Sequence, residues 1–347
     1  NNNLPLDTIE HLAWASNLDW GFNKHPPAVA FFLEIFHKIF GSQDWAYYLL
    51  SQIFLTLSFF IIFKFSEEFF EKKTLGLLSV LILEGIYFYN YTTPEFNVYI
   101  SELPFWALTV YYSYKAITKD NLKDWALLGF FGAIGFLSHY LFSYLLASIT
   151  FFFIYIFFKN KKFNFKSLIA LEIFIIMVIP HLIWLVENNY ITLSYGLHRT
   201  SSGLNDKQLI DHIIYPFFFL IKQIGILIPF WIMLFMLVDK FKLRMNSKDK
   251  KFLFLIVINF VPIILIVITS FLTGSKIRTM WLTPFYLYFG LFFIYLFQKN
   301  INLKKLKTFL ITFLFFFMLS PIIYLTVSIL DKDKRTDYPG RQIAEKI

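Results

Sequence analysis

The first thirty residues contain acids and bases that could perform acid–base chemistry or bind phosphate. Asp7 and Glu10 are three residues apart, so in a helix they would share one face. This spacing is typical of a capping box, in which Asp7 is the N-cap and Glu10 reaches back to it. The same pair could supply a general base and a second carboxylate that binds a metal or the acceptor. The two interpretations are compatible, because a capping aspartate is already fixed in position.

The sequence Lys24-His25-Pro26-Pro27 follows shortly after. Proline is typical of the first turn of a helix, and the motif therefore predicts a helix over 28–40. A lysine and a histidine just before a helix N-terminus could also hold a phosphate, since free N–H groups and cations would face the same point. The residues alone leave both interpretations open.

A second polar segment, Thr92-Thr93-Pro94-Glu95-Phe96-Asn97, interrupts the apolar sequence. Glu95 and Asn97 could be solvated loop residues, or they could position a substrate. Glu102 lies seven residues after Glu95, which would place it on the same helical face. A carboxylate inside an apolar span is costly, so Glu102 is itself a candidate functional residue.

Two later segments add a histidine, a tyrosine and two cations. His139 and Tyr140 separate two apolar stretches, where a single histidine is more often an interface anchor than a ligand. Lys276 and Arg278 lie in a short loop with little other charge. Paired cations in such a loop suit the binding of a phosphate group.

The composition indicates that these residues lie in a membrane protein. Of the 347 residues, 57% are hydrophobic and 16% are charged, whereas soluble domains carry about a quarter charged residues. Forty-seven phenylalanines exceed what one soluble core of this length would bury. Cysteine is absent, which excludes disulfides and thiolate chemistry. We therefore predict an all-α, polytopic membrane protein with about ten spans, namely 44–65, 74–90, 98–116, 124–138, 140–158, 167–186, 212–238, 252–272, 279–297 and 308–330.

The basic residues indicate which side of the membrane each loop faces. The net charge is +9, and lysines are concentrated in alternate connections, a distribution that favours contact with lipid over nucleic acid. By the positive-inside rule the lysine-rich connections are cytoplasmic, namely 64–73, 115–123, 159–166, 240–251 and 299–307. All the candidate residues then fall on the outer side, which predicts an active face there.

The predicted domains follow from this topology. Residues 1–43 form an outer segment with two amphipathic surface helices, over 7–19 and 28–40. Residues 44–330 form the transmembrane helical domain, and residues 331–347 begin an outer soluble segment. The sequence has no Walker loop, GxGxxG, GxSxG or HExxH motif, so a soluble nucleotide-dependent enzyme is not supported.

Taken in order, these motifs resemble the GT-C superfamily of membrane glycosyltransferases. The resemblance is to the branch that contains the protein O-mannosyltransferases and the lipid A aminoarabinose transferases. The matching residues are Asp7 and Glu10, Trp20-Gly21-Phe22-Asn23-Lys24-His25-Pro26-Pro27, Ile39-Phe40-Gly41-Ser42, Thr93-Pro94-Glu95, Leu137-Ser138-His139-Tyr140, Gly274-Ser275-Lys276 and Trp281-Leu282-Thr283-Pro284. Two residues depart from the pattern, since Glu95 replaces a frequent aspartate and His139 replaces a frequent lysine. The family's first span and outer soluble domain would also lie outside this sequence.

The resemblance implies a GT-C helical bundle that transfers a sugar from a polyprenyl-phosphate donor, with inversion, on the outer face of a bacterial inner membrane. The implied acceptor is lipid A, another envelope glycan or a protein. The resemblance implies no definite cofactor, and a divalent metal is left open because metal use varies in the superfamily. The implied roles are catalytic for Asp7, Glu10 and Glu95, donor-phosphate-binding for Lys24, His25, Lys276 and Arg278, and substrate-positioning for Asn97, His139 and Tyr140.

Two other functions fit the composition. A transporter or flippase of lipid-linked sugars would depend on charged residues inside the spans, of which the sequence has Glu84, Glu102, Glu172 and Lys222. No symmetry between two halves supports this function. A structural subunit of an envelope complex would leave the outer cluster of acids and histidines unexplained.

Overall fold

A computed structural model of the chain describes residues 3–200, 209–240, 248–330 and 336. The described residues are largely helical, and the all-α prediction is confirmed. Fourteen α-helices lie within them, and they are α1 Leu6–Ala15, α2 Ala28–Phe40, α3 Asp44–Ser66, α4 Lys73–Leu81, α5 Val98–Lys119, α6 Leu122–Ser138, α7 Phe142–Asn160, α8 Ser167–Glu187, α9 Ile191–Thr200, α10 Asp211–Ile226, α11 Ile228–Leu237, α12 Lys250–Thr273, α13 Phe289–Phe297 and α14 Leu306–Leu330. The predicted segment 331–347 lies outside the described residues except for Thr336.

Each predicted span coincides with helical structure, but fewer than ten qualify as membrane spans by length and apolarity. Five do so as single helices, namely α3, α7, α8, α12 and the stretch Leu303–Leu330 that contains α14. Two bent pairs raise the number to seven: α10 with α11, bent by 45°, and Thr279–Tyr286 with α13, bent by 53°. The protein is therefore a multi-pass membrane protein, with five to seven candidate spans in the part of the chain that the structure describes.

The other three predicted spans differ in physical character. The stretch 74–90 is broken, since α4 has nine residues and continues as short 3-10 turns at Ile82–Gly85 and Tyr87–Tyr89. Helix α6 has 17 residues, the lower limit for crossing a bilayer. Helix α5 is long enough, but it contains Glu102 among several polar residues.

The predicted outer loops meet at one end of the bundle. The segment before α2 contacts the loop before α5 through a hydrogen bond from the Thr8 hydroxyl to the Phe96 carbonyl, 3.1 Å long. It also contacts α9, since the Thr192 hydroxyl donates to the Phe22 carbonyl at 2.6 Å. The backbone N–H of Lys276 donates to the Thr200 carbonyl at 3.1 Å. We call this end of the bundle the site end.

The predicted cytoplasmic loops make contacts with each other instead. Lys119 pairs with Glu68 at 3.3 Å, and Lys166 pairs with Asp120 at 2.8 Å. Further along the chain, Lys305 pairs with Asp239 at 2.6 Å. The two sets of loops therefore separate as the alternating charge of the sequence predicted.

The two predicted surface helices exist, and each buries part of its surface in the bundle. Helix α1 ends at Ala15, not at residue 19, and it buries Thr8, His11 and Ala15. Helix α2 has the predicted bounds, 28–40, and buries Val29, Ala30 and Leu33, whereas Ile35 is exposed. Apolar residues of both helices, Ile9 and Leu12 of α1 and Phe32 and Phe36 of α2, are partly buried against the core. The inward face of α1 also carries His11.

Small residues set how closely two of these helices approach each other. A Cβ atom on Gly129 of α6 would overlap the backbone of Ala170 on α8, so these helices pack backbone to backbone, as membrane helices do through small residues. Helix α5 packs between α3 and α6. The first turn of α5 and the last turn of α6 consequently lie side by side at the site end.

Candidate active site

The N-terminus of α1 is anchored by the loop that precedes α5. The backbone N–H of Asp7 donates to Glu95 Oε1 at 3.3 Å. The N-cap position is occupied by Pro5, which provides no side-chain cap. The predicted capping box is therefore wrong: Asp7 lies in the first turn, and the capping carboxylate comes from 88 residues away. This contact brings two of the predicted catalytic carboxylates together.

Tyr99 connects these carboxylates to the late loop. The Asp7 side chain is exposed and lies within electrostatic range of the Tyr99 hydroxyl, as does Arg278. Trp281 lies within hydrogen-bonding range of the same hydroxyl. The structure thus places the predicted base and one predicted phosphate-binding cation near Tyr99. Tyr99 was not among the residues predicted from the sequence, where its only signal was its position two residues after the candidate Asn97.

Glu10 and Lys24 form an ion pair across the opening segment. Both side chains are about one-third exposed, and the Lys24 ammonium also lies 5.7 Å from the centre of the Tyr195 ring. Glu10 does not reach back to the start of α1, because it is directed to the lysine. Lys24 is consequently held near α1 by the Glu10 carboxylate. A phosphate that binds Lys24 would have to displace this carboxylate or share the lysine with it.

Three histidine rings contact one another in sequence next to the Glu10–Lys24 ion pair. We call His11, His25 and His139 the histidine row. The His11 and His25 rings are stacked with centres 5.7 Å apart, and the His25 and His139 rings meet edge to face at 5.8 Å. The row continues into α5, where Glu102 Oε1 lies 3.2 Å from His139 Nδ1. A helix, a loop and the end of a span therefore contribute one histidine each.

Burial keeps the first two histidines of the row neutral. Desolvation lowers the pKa of His11 from its usual 6.5. Desolvation, with added repulsion from His11, His139 and Lys24, holds the pKa of His25 well below 6.5. In the protein without ligand, His25 is consequently an uncharged hydrogen-bonding group at pH 7. It can still bind phosphate, because a nearby anion favours the charged form of the ring.

We expect these two histidines to make the protein sensitive to mild acid. Their pKa values are lower in the folded chain than in the unfolded one, so the unfolded chain binds more protons below about pH 6.5 and stability falls as the pH decreases. The melting temperature in detergent should fall between pH 7 and pH 5, and it should fall less in His25→Asn. Carboxylates such as Asp120, whose pKa is lowered to about 2 mainly by Lys166, lose their contribution only at lower pH. Equal acid sensitivity of His25→Asn and the wild type would contradict this assignment.

The loop that carries Lys24 and His25 is held by α8. The Trp184 indole N–H donates to Asp19 Oδ2 at 2.7 Å. His181 Nδ1 lies 2.6 Å from the Trp20 carbonyl and must donate to it, so His181 Nε2 accepts from the Tyr140 hydroxyl at 2.7 Å. The predicted substrate-positioning residue Tyr140 therefore holds the loop in place through His181.

Gly21 allows this loop to lie against α8, because a Cβ atom there would overlap the Trp184 ring. We expect Gly21→Ala to displace Trp184, break its bond to Asp19 and cost about 1–3 kcal/mol of stability. The displaced loop should also reduce activity at least tenfold, as a small misplacement of binding groups does. Gly225→Ala is the matched control, since nothing lies within 4 Å of its Cβ position. Equal melting temperatures and rates in both variants would contradict the proposed packing.

The remaining predicted residues fall into two groups. Asn97 is the N-cap of α5, and its side-chain oxygen accepts from the N–H groups of Tyr99 and Ile100. Asn97 therefore has a structural role as the cap of α5. Its predicted role in positioning a substrate stays a prediction. Lys276 is exposed, and its side chain makes no ion pair in the described part of the chain. Its substrate-binding role stays a prediction.

The described residues contain no cluster of metal-binding side chains that would support the predicted metal role of Glu10. Among the described residues, no group of three or more His, Cys, Asp or Glu side chains is arranged to hold a metal ion. Glu10 pairs with Lys24, which suits an ion pair better than metal ligation. No step of the reaction is assigned to a metal here.

The charged residues inside the spans have different surroundings. Glu84 is buried in a 3-10 turn beside Asn90, and Glu102 contacts the histidine row. Glu172 on α8 and Lys222 on α10 are exposed at the surface of the bundle. Only Glu102 therefore joins the residues gathered at the site end.

The chain is similar to a known protein family in sequence and to solved structures in fold. The family model described as dolichyl-phosphate-mannose-protein mannosyltransferase matches residues 24–184, just under half of the chain. This range includes Lys24, His25, Glu95 and His139. No curated protein sequence is significantly similar to the chain.

Two crystal structures of ArnT from Cupriavidus metallidurans have the same fold. The apo structure aligns with a TM-score of 0.64 and 12% identity, over 89% of this chain and 58% of ArnT. The structure bound to undecaprenyl phosphate aligns with a TM-score of 0.65 and 12% identity, over 96% of this chain and 62% of ArnT. The chain thus spans about three fifths of the ArnT length. The resemblance to GT-C membrane glycosyltransferases is confirmed.

Proposed function

Since the chain resembles the GT-C membrane glycosyltransferases in its motifs and in its fold, we propose that it transfers a sugar from a polyprenyl-phosphate donor to an acceptor hydroxyl or phosphate. The proposed acceptors are lipid A, another envelope glycan and a protein. The proposed location is the outer face of a bacterial inner membrane, where the site end would lie. The observation behind the proposal is that four separate segments bring carboxylates and cations together there, represented by Asp7, Lys24, Glu95 and Arg278.

In the proposed reaction, Asp7 takes the proton from the acceptor oxygen, which attacks the anomeric carbon. The bond from that carbon to the donor phosphate breaks, and the electron pair leaves with the polyprenyl phosphate. A single displacement of this kind inverts the anomeric configuration. The exposure of the Asp7 side chain supports its role as the base, because a general base must reach the acceptor.

The leaving phosphate gains negative charge as the bond breaks, so cations that face it stabilise the transition state. We assign this role to Lys24 and Arg278, with His25 as the neighbouring group whose charged form the phosphate would favour. Glu95 fixes the N-terminus of α1 and with it the position of Asp7. The apolar outer surfaces of the spans would hold the prenyl chain.

The test is a transfer assay with the purified protein in liposomes. Undecaprenyl-phosphate-linked sugars and lipid A are supplied, and the products are identified by mass spectrometry. In parallel, mass spectrometry of lipid A and envelope glycans from a deletion strain identifies the missing sugar and its acceptor. Transfer that depends on the outer residue Asp7 supports the enzyme. Movement of a lipid-linked sugar across the membrane without transfer, sensitive to Glu84→Gln and not to Asp7→Asn, would support a flippase instead.

A further inference from the structure

Glu102 is a fully buried carboxylate for which the proposed reaction has no direct use. Its side chain is 0% exposed, and its Oε2 atom has no hydrogen-bond partner in the described structure. Its Oε1 atom contacts His139 Nδ1 at 3.2 Å. Burying a carboxylate with one unsatisfied oxygen is costly unless a nearby positive charge compensates it. His139 is the titratable group in contact with Glu102, and a protonated His139 ring would supply that charge.

His139 is placed to use this charge at the site. Its side chain is about 10% exposed, and its ring contacts Tyr99 at 5.2 Å and His25 at 5.8 Å. Because Nδ1 faces Glu102, Nε2 is the ring nitrogen that remains to bind a ligand. Repulsion from His139 also disfavours charge on His25.

We propose that Glu102 is a positioning residue that keeps His139 protonated and orients its Nε2–H towards the donor phosphate beside His25. This inference rests on the proposed function. It also gives a physical reason for the histidine at this position. A lysine there would be charged without help, whereas a histidine needs a buried carboxylate to stay charged near pH 7. The groups that face His139 are Glu102 and Tyr99 from α5 and His25 from the opening segment.

The test is the pH dependence of lipid-phosphate binding. Undecaprenyl phosphate is titrated into the purified full chain in detergent from pH 5 to pH 9, with intrinsic tryptophan fluorescence as the readout. Wild-type affinity should decline on the alkaline side as His139 loses its proton. In Glu102→Gln the amide keeps the shape but not the charge, so this decline should move to lower pH by about one to three units. The ligand's own titration is the same for every variant and cancels in the comparison.

Two further variants separate charge from structure. Glu172→Gln, which changes a carboxylate on the exposed side of α8, should keep the wild-type profile. In the double variant Glu102→Gln/His139→Lys the lysine stays charged without Glu102, so affinity should return and its alkaline decline should disappear below about pH 9. A wild-type profile in Glu102→Gln would overturn the inference. So would a loss of binding at every pH that lysine does not restore.

The transfer assay distinguishes these outcomes from failure of the proposed function. If the wild type binds undecaprenyl phosphate with the expected pH shift in Glu102→Gln but transfers no sugar, the site stands and the enzyme function is overturned. If sugar is transferred while Glu102→Gln keeps the wild-type pH profile, the enzyme stands and the role of Glu102 is overturned. If the wild type binds no undecaprenyl phosphate at any pH, both are overturned.

Discussion

Asp7→Asn is expected to reduce sugar transfer by about 10²- to 10⁴-fold, the range that general-base catalysis contributes. The physical reason is that asparagine has the shape of aspartate but cannot accept the proton of the acceptor. Expression and membrane insertion should not change, because the Asp7 carboxylate is exposed and its link to Glu95 uses the backbone N–H. The measurement is the initial rate of transfer in liposomes at a saturating donor concentration.

Asp44→Asn is the matched control, since Asp44 is also an exposed aspartate in the first turn of a helix, α3. It should transfer sugar at the wild-type rate. Full activity of Asp7→Asn would eliminate Asp7 as the base. Glu95→Gln then becomes informative, because glutamine can still accept the Asp7 N–H. A larger loss in Glu95→Gln than in Asp7→Asn would move the base to Glu95.

The sequence predicted well those features that depend on local chemistry. The bounds of α2 were predicted correctly because Pro26 and Pro27 precede it and Gly41, with φ of +65°, ends it. The break between α6 and α7 was predicted because His139 and Tyr140 interrupt two apolar runs. The division of the loops into two sets was predicted from the alternation of lysine-rich connections. Successive spans place alternate loops at opposite ends of the bundle, however the helices pack.

What the sequence could not predict was which distant group each side chain contacts. The Asp7–Glu10 spacing favoured a local capping box, but Glu95 provides the cap and Lys24 attracts Glu10. The spacing of residues along one helix gives no information about a carboxylate that lies 88 residues away in the sequence. The sequence indicated that Glu102 is a costly residue in a span. It did not indicate that its partner would be His139, 37 residues further along the chain.

Lys24→Met is expected to weaken the binding of the donor about 10- to 100-fold, because one charge-assisted hydrogen bond to a phosphate contributes about 1.5–3 kcal/mol. Methionine keeps the apolar stem and removes only the charge. The turnover rate should fall as well, since the phosphate carries more charge after the bond breaks than before. The matched control is Lys38→Met on α2, where an exposed lysine pairs with Glu34 at 3.3 Å.

The ion pair with Glu10 makes this prediction sharper. Before the donor binds, the Lys24 ammonium is occupied by the Glu10 carboxylate, so the phosphate must displace that carboxylate or share the lysine with it. Glu10→Gln removes the competing charge, and we expect the donor KM to fall while transfer continues. In the Lys24→Met background the same substitution should have no effect on the donor KM, because no ammonium remains to be released. If Glu10→Gln instead abolishes transfer in the presence of Lys24, Glu10 acts on the acceptor directly, and the ion pair is not its main role.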